Sequence, residues 1–245
     1  MTVKNDEIRH LENLTAEVWP AGKYVRHCGW TLGFDAGVTS RANSVFPNEW
    51  SAETPLTDAI GEVERQYRAH GLAPSFKISE ASLPQGLDDA LAAAGYGMQK
   101  GTAVMQGGLT AFQSPMRDEV RALDRPTPEW CALTGWEGSA ARIAIAERIA
   151  TPCTFFLAMD GSEPVGTAIG VVRGEWAYIS GLHVSPAVRG RGIGTSMLGC
   201  FAHWAVENGA GQVFLQVEGD NPKARALYDR LGLVHAYDYH YRIKP

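Results

Sequence analysis

The chain has 245 residues and a formal net charge of −5 at pH 7, and 45% of its residues are apolar. This length suits one large or two modest domains with a substantial core, and the acidic balance argues against a nucleic-acid partner. No segment approaches the roughly 20 apolar residues of a membrane-spanning helix, and the N-terminus lacks the apolar core of a signal peptide. The four cysteines form no C-x-x-C pair, so we expect a cytoplasmic protein with free thiols and no metal site.

Helix and strand patterns alternate along the first half of the chain. The polar segment 40–44 is interpreted as a strand. A helix is predicted over 54–71, where Thr-Pro begins the pattern and a glycine ends it. A strand over 75–79, a helix over 87–94 and a strand over 101–105 follow.

A change of composition near residues 107–117 marks the predicted domain boundary. Gly107-Gly108 and Ser114-Pro115 interrupt the pattern, and a strand resumes over 116–123. We therefore predict two domains, residues 1–112 and 113–245.

The second half begins with helices and a β-hairpin. Helices are predicted near Trp130 and over 139–150, where apolar residues recur at helical spacing. Strands over 154–158 and 164–172 are joined by Asp160-Gly161, a dipeptide typical of hairpin turns.

A glycine-rich loop follows the strand predicted over 177–184 and opens a helix. It contains the pattern Arg-x-x-Gly-x-Gly at Arg189, Gly192 and Gly194. Backbone N–H groups in such a loop lie beside the positive end of a helix dipole and bind anions, most often phosphate. The glycine spacing does not match a dinucleotide fingerprint, and no lysine follows it as a P-loop requires.

A second motif follows the glycine-rich loop and its helix along the chain. Residues 213–217 predict a buried strand, and Asn221-Pro222 opens a helix over 223–231 that ends at Gly232. The two motifs together are more specific than either alone.

These motifs, over about residues 150–245, resemble the GNAT superfamily of N-acetyltransferases. The resemblance implies an α+β (mixed α/β) fold of tandem GNAT type, in which each mostly antiparallel, splayed sheet is flanked by helices. It also implies acetyl-CoA as co-substrate. The cofactor-binding residues that it implies are Leu182, His183, Val184, Arg189, Gly190, Arg191, Gly192, Ile193, Gly194, Thr195, Asn221, Ala224 and Tyr228.

The resemblance assigns each of these residues a task. The backbone of 182–184 pairs with the pantetheine arm as a neighbouring strand would, and 189–195 bind the pyrophosphate. Asn221 faces the pantetheine and Ala224 leaves room for it. Tyr228 is the expected catalytic residue, a general acid that protonates the leaving thiolate. The alternative for Tyr228 is an amphipathic side chain packed on its helix.

The general base is left open by the sequence. Gln216 stands where some members of the superfamily carry a glutamate, and an amide cannot accept the proton. His183, Glu218 and a chain of waters remain the candidates.

The first half repeats the pattern of the second with a shift of roughly 138 residues. No Arg-x-x-Gly-x-Gly follows Pro47, however, and Leu91 stands opposite Tyr228. The first half is therefore similar to the degenerate half of tandem GNAT proteins. The alternative is an unrelated α+β cap.

The expected reaction is transfer of an acetyl group from acetyl-CoA to a primary amine by direct attack. The acceptor is a small-molecule or peptide amine, with no nucleic-acid or membrane partner, and the oligomeric state is left open. Arg41 suits an anionic group on the acceptor, or is a solvated surface arginine. The alternative function is a non-catalytic acyl-CoA sensor or interaction module.

Overall fold

The computed structural model of this protein describes residues 5–51, 53–112, 119–150 and 152–245. The chain divides into two compact units that do not follow chain order. The first unit comprises residues Met1–Val104, Val217–Asn221 and Ala236–Pro245, and the second comprises Met105–Gln216 and Pro222–His235.

The first unit is a sheet flanked by helices. Its helices are α1 (Asn5–Val18), α2 (Leu56–Ala69) and α3 (Leu87–Ala93). Its strands are β1 (Lys23–His27), β2 (Trp30–Phe34), β3 (Val45–Phe46), β4 (Ser75–Ser79), and parts of β5 (Gly97–Gly108) and β11 (Val234–Ile243). The strand order in this unit is β1-β2-β3-β4-β11-β5.

Antiparallel pairing dominates this sheet, with one parallel contact. β3 and β4 run parallel, and Val45 lies opposite Phe76. The C-terminal strand β11 then pairs antiparallel with β4, so that Tyr239 lies opposite Ser79. The last strand of the chain thus completes the sheet of the first unit.

Aromatic side chains form the core of the first unit. The Trp30 ring lies 4.9 Å from the Trp50 ring and 5.4 Å, edge to face, from the Phe76 ring. Tyr67 on α2 is fully buried and donates a hydrogen bond to the Gly33 carbonyl. These contacts hold α2 against the sheet, as the apolar period of its sequence predicts.

The strand predicted over residues 40–44 is wrong. Ser40–Ala42 form a turn of 3₁₀ helix, and the Arg41 guanidinium lies 4.7 Å from the centre of the Trp19 ring. The Asn43 side chain accepts a hydrogen bond from the Asp35 N–H and donates one to the Thr39 carbonyl. Such local side-chain bonds to the backbone compete with a strand ladder.

The second unit has four helices among its described residues. They are α4 (Pro128–Thr134), α5 (Ala140–Arg148), α6 (Ile193–Glu207) and α7 (Pro222–Arg230). Its strands are β6 (Val120–Leu123), β7 (Cys153–Asp160), β8 (Glu163–Arg173), β9 (Trp176–Val184) and part of β10 (Gln212–Glu218). The strand order is β10-β9-β8-β7-β6. All neighbours are antiparallel except β9 and β10, which are parallel.

Helix α6 packs closely on this sheet because a glycine lies beneath it. A Cβ added at Gly170 would lie 3.0 Å from the side chains of Phe201 and Trp204. Phe201 is fully buried and also contacts the Phe156 ring. This close approach holds the C-terminal half of α6 against β8.

The α+β fold class expected from the sequence is confirmed, with mostly antiparallel sheets and flanking helices. The predicted boundary between residues 112 and 113 adjoins segment 113–118, which lies outside the described residues. The start of the strand predicted over 116–123 also lies there, and its end is β6.

Candidate active site

A gap opens between the parallel strands β9 and β10. Their register covers three residue pairs and ends where Tyr178 lies opposite Phe214. β9 continues beyond this pair to Val184, and its other edge stays paired with β8, so that Thr167 lies opposite His183. The edge of β9 that faces the gap can therefore pair with an extended ligand, as an exposed strand edge pairs with another strand.

A β-bulge interrupts β9 beside this gap. Its register with β8 shifts between Thr167 and Ile169, where Ser180 and His183 are the paired residues. Gly181 has φ +61°, and its carbonyl accepts a hydrogen bond from the Thr167 hydroxyl. A bulge turns the following backbone and side chains in new directions, so Leu182 and His183 do not continue the alternation of the strand.

The glycine-rich loop lies between β9 and α6. After a 3₁₀ turn over Pro186–Val188, Gly190 and Gly192 have φ values of +80° and +81°, a conformation that glycine adopts without steric cost. Gly192 is the N-cap of α6, and as a glycine it has no side chain to cap the helix. The N–H groups of Ile193, Gly194 and Thr195 begin the helix without intrahelical acceptors and can bind an anion.

Both arginines of the loop have protein partners. The Arg189 Nε donates to the Val184 carbonyl at 2.9 Å. Arg191 makes two hydrogen bonds to the Asp160 carboxylate, at 2.7 and 3.1 Å. The Arg189 side chain is therefore tied to β9 and the Arg191 side chain to β7.

Tyr228 lies on α7 and is 8% exposed. Burial, with a smaller contribution from Tyr178, raises the pKa of Tyr228 to about 12. The phenol therefore keeps its proton at neutral pH, as a general acid must. Ala224 lies one turn earlier on the same face of the helix and is half-buried.

His183 is half-buried on β9, close to the loop. Burial and the nearby Arg189 guanidinium lower the pKa of His183. The imidazole is therefore neutral at pH 7 and can accept a proton. Gln216 lies on β10, and its Oε1 is 3.5 Å from the Tyr178 hydroxyl.

The remaining site residues that the sequence predicts lie on another unit. Glu218 ends β10 and is exposed, and Asn221 precedes α7 and is also exposed. Both belong to the first compact unit, in which the Asn221 N–H donates to the Glu218 carbonyl. The structure thus gathers the loop, β9, Ala224 and Tyr228 in the second unit.

Two neighbours of the site were not identified from the sequence. The sequence identifies Asp160 only as a turn residue, yet it binds Arg191. Tyr178 was part of a predicted strand, and its position at the last pair before the gap depends on the register of β9 with β10. The sequence contains no local signal for either contact.

Two further findings concern metal binding and membrane crossing in the described part of the chain. No cluster of three or more His, Cys, Asp or Glu side chains that could hold a metal ion is found there. Among the helices described, none combines the length and apolar character needed to cross a membrane.

A family model and a similar protein both match nearly the whole chain. The model of the family described as "Probable histone acetyltransferase Rv0428c C-terminal" matches residues 5–242. The "Uncharacterized N-acetyltransferase YobR" of Bacillus subtilis (strain 168) is 36% identical over 251 aligned positions, which cover 98% of this chain and 99% of that protein.

Two solved structures show the same fold. A GCN5-related N-acetyltransferase from Kribbella flavida superposes with a TM-score of 0.72 at 16% identity, covering 97% of this chain and 95% of that one. A "Tandem GNAT protein from the clavulanic acid biosynthesis pathway (without AcCoA)" gives a TM-score of 0.64 at 14% identity, covering 96% and 87%.

Proposed function

The chain belongs to the GNAT superfamily of N-acetyltransferases, through the family whose model it matches over residues 5–242, and we propose that it acetylates a primary amine with acetyl-CoA. The observation that supports this most directly is that three features of such a site share one compact unit. The gap beside β9, the glycine loop at the start of α6 and the protonated Tyr228 all lie in the second unit.

In this proposal acetyl-CoA binds along β9 and the loop. The backbone of residues 182–184 pairs with the pantetheine arm at the open strand edge. The N–H groups over residues 190–195 bind the pyrophosphate at the helix N-terminus. Ala224, on α7, leaves room for the pantetheine arm. The contact of Asn221 with the arm stays a prediction from the sequence resemblance.

The chemical step follows from two protonation states. The amine nitrogen attacks the thioester carbonyl, so a C–N bond forms and the C–S bond breaks. The Tyr228 phenol donates its proton to the leaving thiolate, because burial keeps that proton in place near pH 7. The proton lost by the amine goes to neutral His183 or to a water chain, and Gln216 cannot take it.

We further propose that the chain has the tandem organisation, residues 1–112 and 113–245, with a first half that does not bind the cofactor. β3 and β4 pair in parallel as β9 and β10 do, but the residue after Phe76 is the fully buried Lys77. The Lys77 ammonium lies 2.7 Å from the Glu12 carboxylate of α1 and 5.7 Å from the centre of the Phe46 ring. This buried ion pair beside β3 and β4 supports the proposal that the first half has no cleft for a cofactor.

The acceptor proposed is a small-molecule or peptide amine. This class follows from the N-acetyltransferase names of the relatives and from direct attack as the mechanism. Arg41 is not assigned to acceptor binding, because its guanidinium stacks on Trp19.

The test is thermal unfolding with and without acetyl-CoA, with NADH and ATP as controls, followed by a thiol assay for released CoA against a panel of amines. Ligand at about 100 times its Kd should stabilise the fold by roughly 2.7 kcal/mol. A shift with acetyl-CoA alone, and CoA release that depends on an amine, are expected. Stabilisation by NADH or ATP instead would contradict the cofactor assignment, and binding without turnover would favour a sensor.

A further inference from the structure

The hydrogen bonds of Arg191 lead from the glycine loop to the β7–β8 hairpin. Its two terminal nitrogens bind the two oxygens of Asp160 at 2.7 and 3.1 Å, the paired geometry in which a guanidinium holds a carboxylate best. Asp160 is the last residue of β7, and the next residue, Gly161, has φ +63° in the turn. The hairpin therefore offers a short, well-defined attachment point.

Arg191 lies in the most flexible part of the loop sequence, where an attachment to another element has the largest effect. It stands between Gly190 and Gly192, both with positive φ. Glycine loses more conformational freedom on ordering than any other residue, so a loop built on two glycines is intrinsically mobile. The Arg191 side chain lies between them and connects this stretch of backbone to another element of the second unit.

We propose that the Asp160–Arg191 pair is a clamp that holds the loop backbone in position for the cofactor pyrophosphate, with Asp160 as a positioning residue. This inference rests on the proposed function. By binding Asp160, the Arg191 guanidinium holds the backbone of the glycine loop in place. The contacts to the phosphate itself come from the N–H groups over 190–195. A loop that is ordered before binding lowers the entropic cost of binding the cofactor.

The clamp and a direct phosphate contact by Arg191 predict opposite effects of removing Asp160. A carboxylate near an anion site repels the anion, so without a clamp Asp160→Asn should tighten acetyl-CoA binding by freeing Arg191. With a clamp, the same substitution should weaken binding because the loop loses its attachment.

The experiment is a double-mutant cycle on acetyl-CoA affinity by calorimetry, with Asp160→Asn, Arg191→Gln and the double variant. Each single variant should raise Kd by up to about fivefold, the range of an exposed ion pair, and the double variant should be no worse than either. Asp160→Glu keeps a carboxylate within reach and should restore most of the affinity.

Controls separate the clamp from general effects of charge and stability. Glu49→Gln and Arg26→Gln remove the same charges from another exposed pair, on the first unit, and should leave Kd unchanged. The side chains of Arg191 and Asp160 are 56% and 40% exposed, so melting temperatures should stay near that of the parent.

Tighter binding by Asp160→Asn, additive effects in the double variant, or unchanged Kd in both single variants would each overturn the clamp. The affinity of the parent chain for acetyl-CoA is measured before that of any variant. If the parent does not bind acetyl-CoA, the proposed function itself fails.

Discussion

At the scale of single residues, the surroundings of Tyr228 and His183 set their protonation states. Burial raises the pKa of Tyr228 to about 12, whereas burial and Arg189 lower the pKa of His183. At neutral pH the phenol keeps its proton and the imidazole can accept one. This is the combination that transfer of an acetyl group to an amine would use.

Tyr228→Phe keeps the ring on α7 and removes the proton donor. We expect kcat to fall by roughly 10²-fold or more, because general acid catalysis contributes at least that much, while the Kd of acetyl-CoA stays unchanged. Steady-state kinetics with an accepted amine and calorimetry measure the two quantities. Tyr178→Phe removes a phenol from the neighbouring strand and is the matched control. Unchanged turnover in the Tyr228 variant would remove this residue from the mechanism.

At the scale of elements, the N-cap of α6 is Gly192, which has no side chain and a left-handed backbone conformation. Gly192→Val places a branched side chain at φ +81°, where valine is strained, and next to the proposed pyrophosphate site. We expect acetyl-CoA affinity to fall by at least about tenfold, a loss in the range of backbone strain at one residue.

Gly209→Val controls for the strain in this prediction. Gly209 lies just beyond the other end of α6 with φ +89°, and a Cβ there would meet open space. This variant should lose stability to a similar degree but keep its affinity. Equal affinity of the parent and the Gly192 variant would contradict the loop assignment.

A second element-scale feature is the ionic contact of β11 with α3. The two hydrogen bonds from Arg242, helped by one from His240, outweigh burial and lower the pKa of Asp88 to about 2. Since the carboxylate is favoured in the folded state, its stabilisation is present above about pH 4. It is lost as the pH falls from there towards 2.

Asp88→Asn should therefore lower the unfolding free energy at pH 7 by about 1 kcal/mol, a value reduced for the solvent exposure of this side chain. The difference between parent and variant should shrink to zero near pH 2 when both are unfolded with urea. Asp89→Asn, one residue along the first turn of α3, should show a much smaller change. A difference that stays constant from pH 7 to 2 would disprove the ionic origin.

At the scale of the whole molecule, α1 and the last strand, β11, meet inside the first unit. Glu12 of α1 accepts a hydrogen bond of 2.7 Å from the Tyr237 hydroxyl of β11, across 225 positions of sequence. The other carboxylate oxygen of Glu12 lies 2.7 Å from the Lys77 ammonium. Since both charged groups are buried, the fold of this unit depends on their being paired.

Glu12→Gln leaves a hydrogen-bond acceptor for Tyr237 but removes the charge that balances Lys77. We expect the unfolding free energy to fall by about 3 kcal/mol, the cost of an uncompensated buried charge. The double variant Glu12→Gln, Lys77→Met should recover most of this loss, as measured by urea unfolding. A double variant as unstable as the single one would show that the lost charge balance is not the cause.

Local patterns were sufficient for most helices and strands and for the candidate loop. The strand predicted over 75–79 matches β4, and the helix predicted over 87–94 matches α3 within one residue. The Arg-x-x-Gly-x-Gly pattern at Arg189, Gly192 and Gly194 identified the loop, in which glycine allows close approach of the backbone to an anion. The strand predicted over 40–44 is wrong because a polarity pattern does not reveal the hydrogen bonds of the Asn43 side chain to the backbone.

The sequence by itself determined the period of each element, the glycine loop that begins α6 and the chemical type of the candidate acid, because these depend on neighbouring residues. Only the tertiary structure decided that β11 joins β4, that β9 and β10 part after Tyr178, and that Arg191 binds Asp160. These contacts join residues 31 or more positions apart, and the free energy of such contacts depends on burial and strand register, which local patterns do not encode.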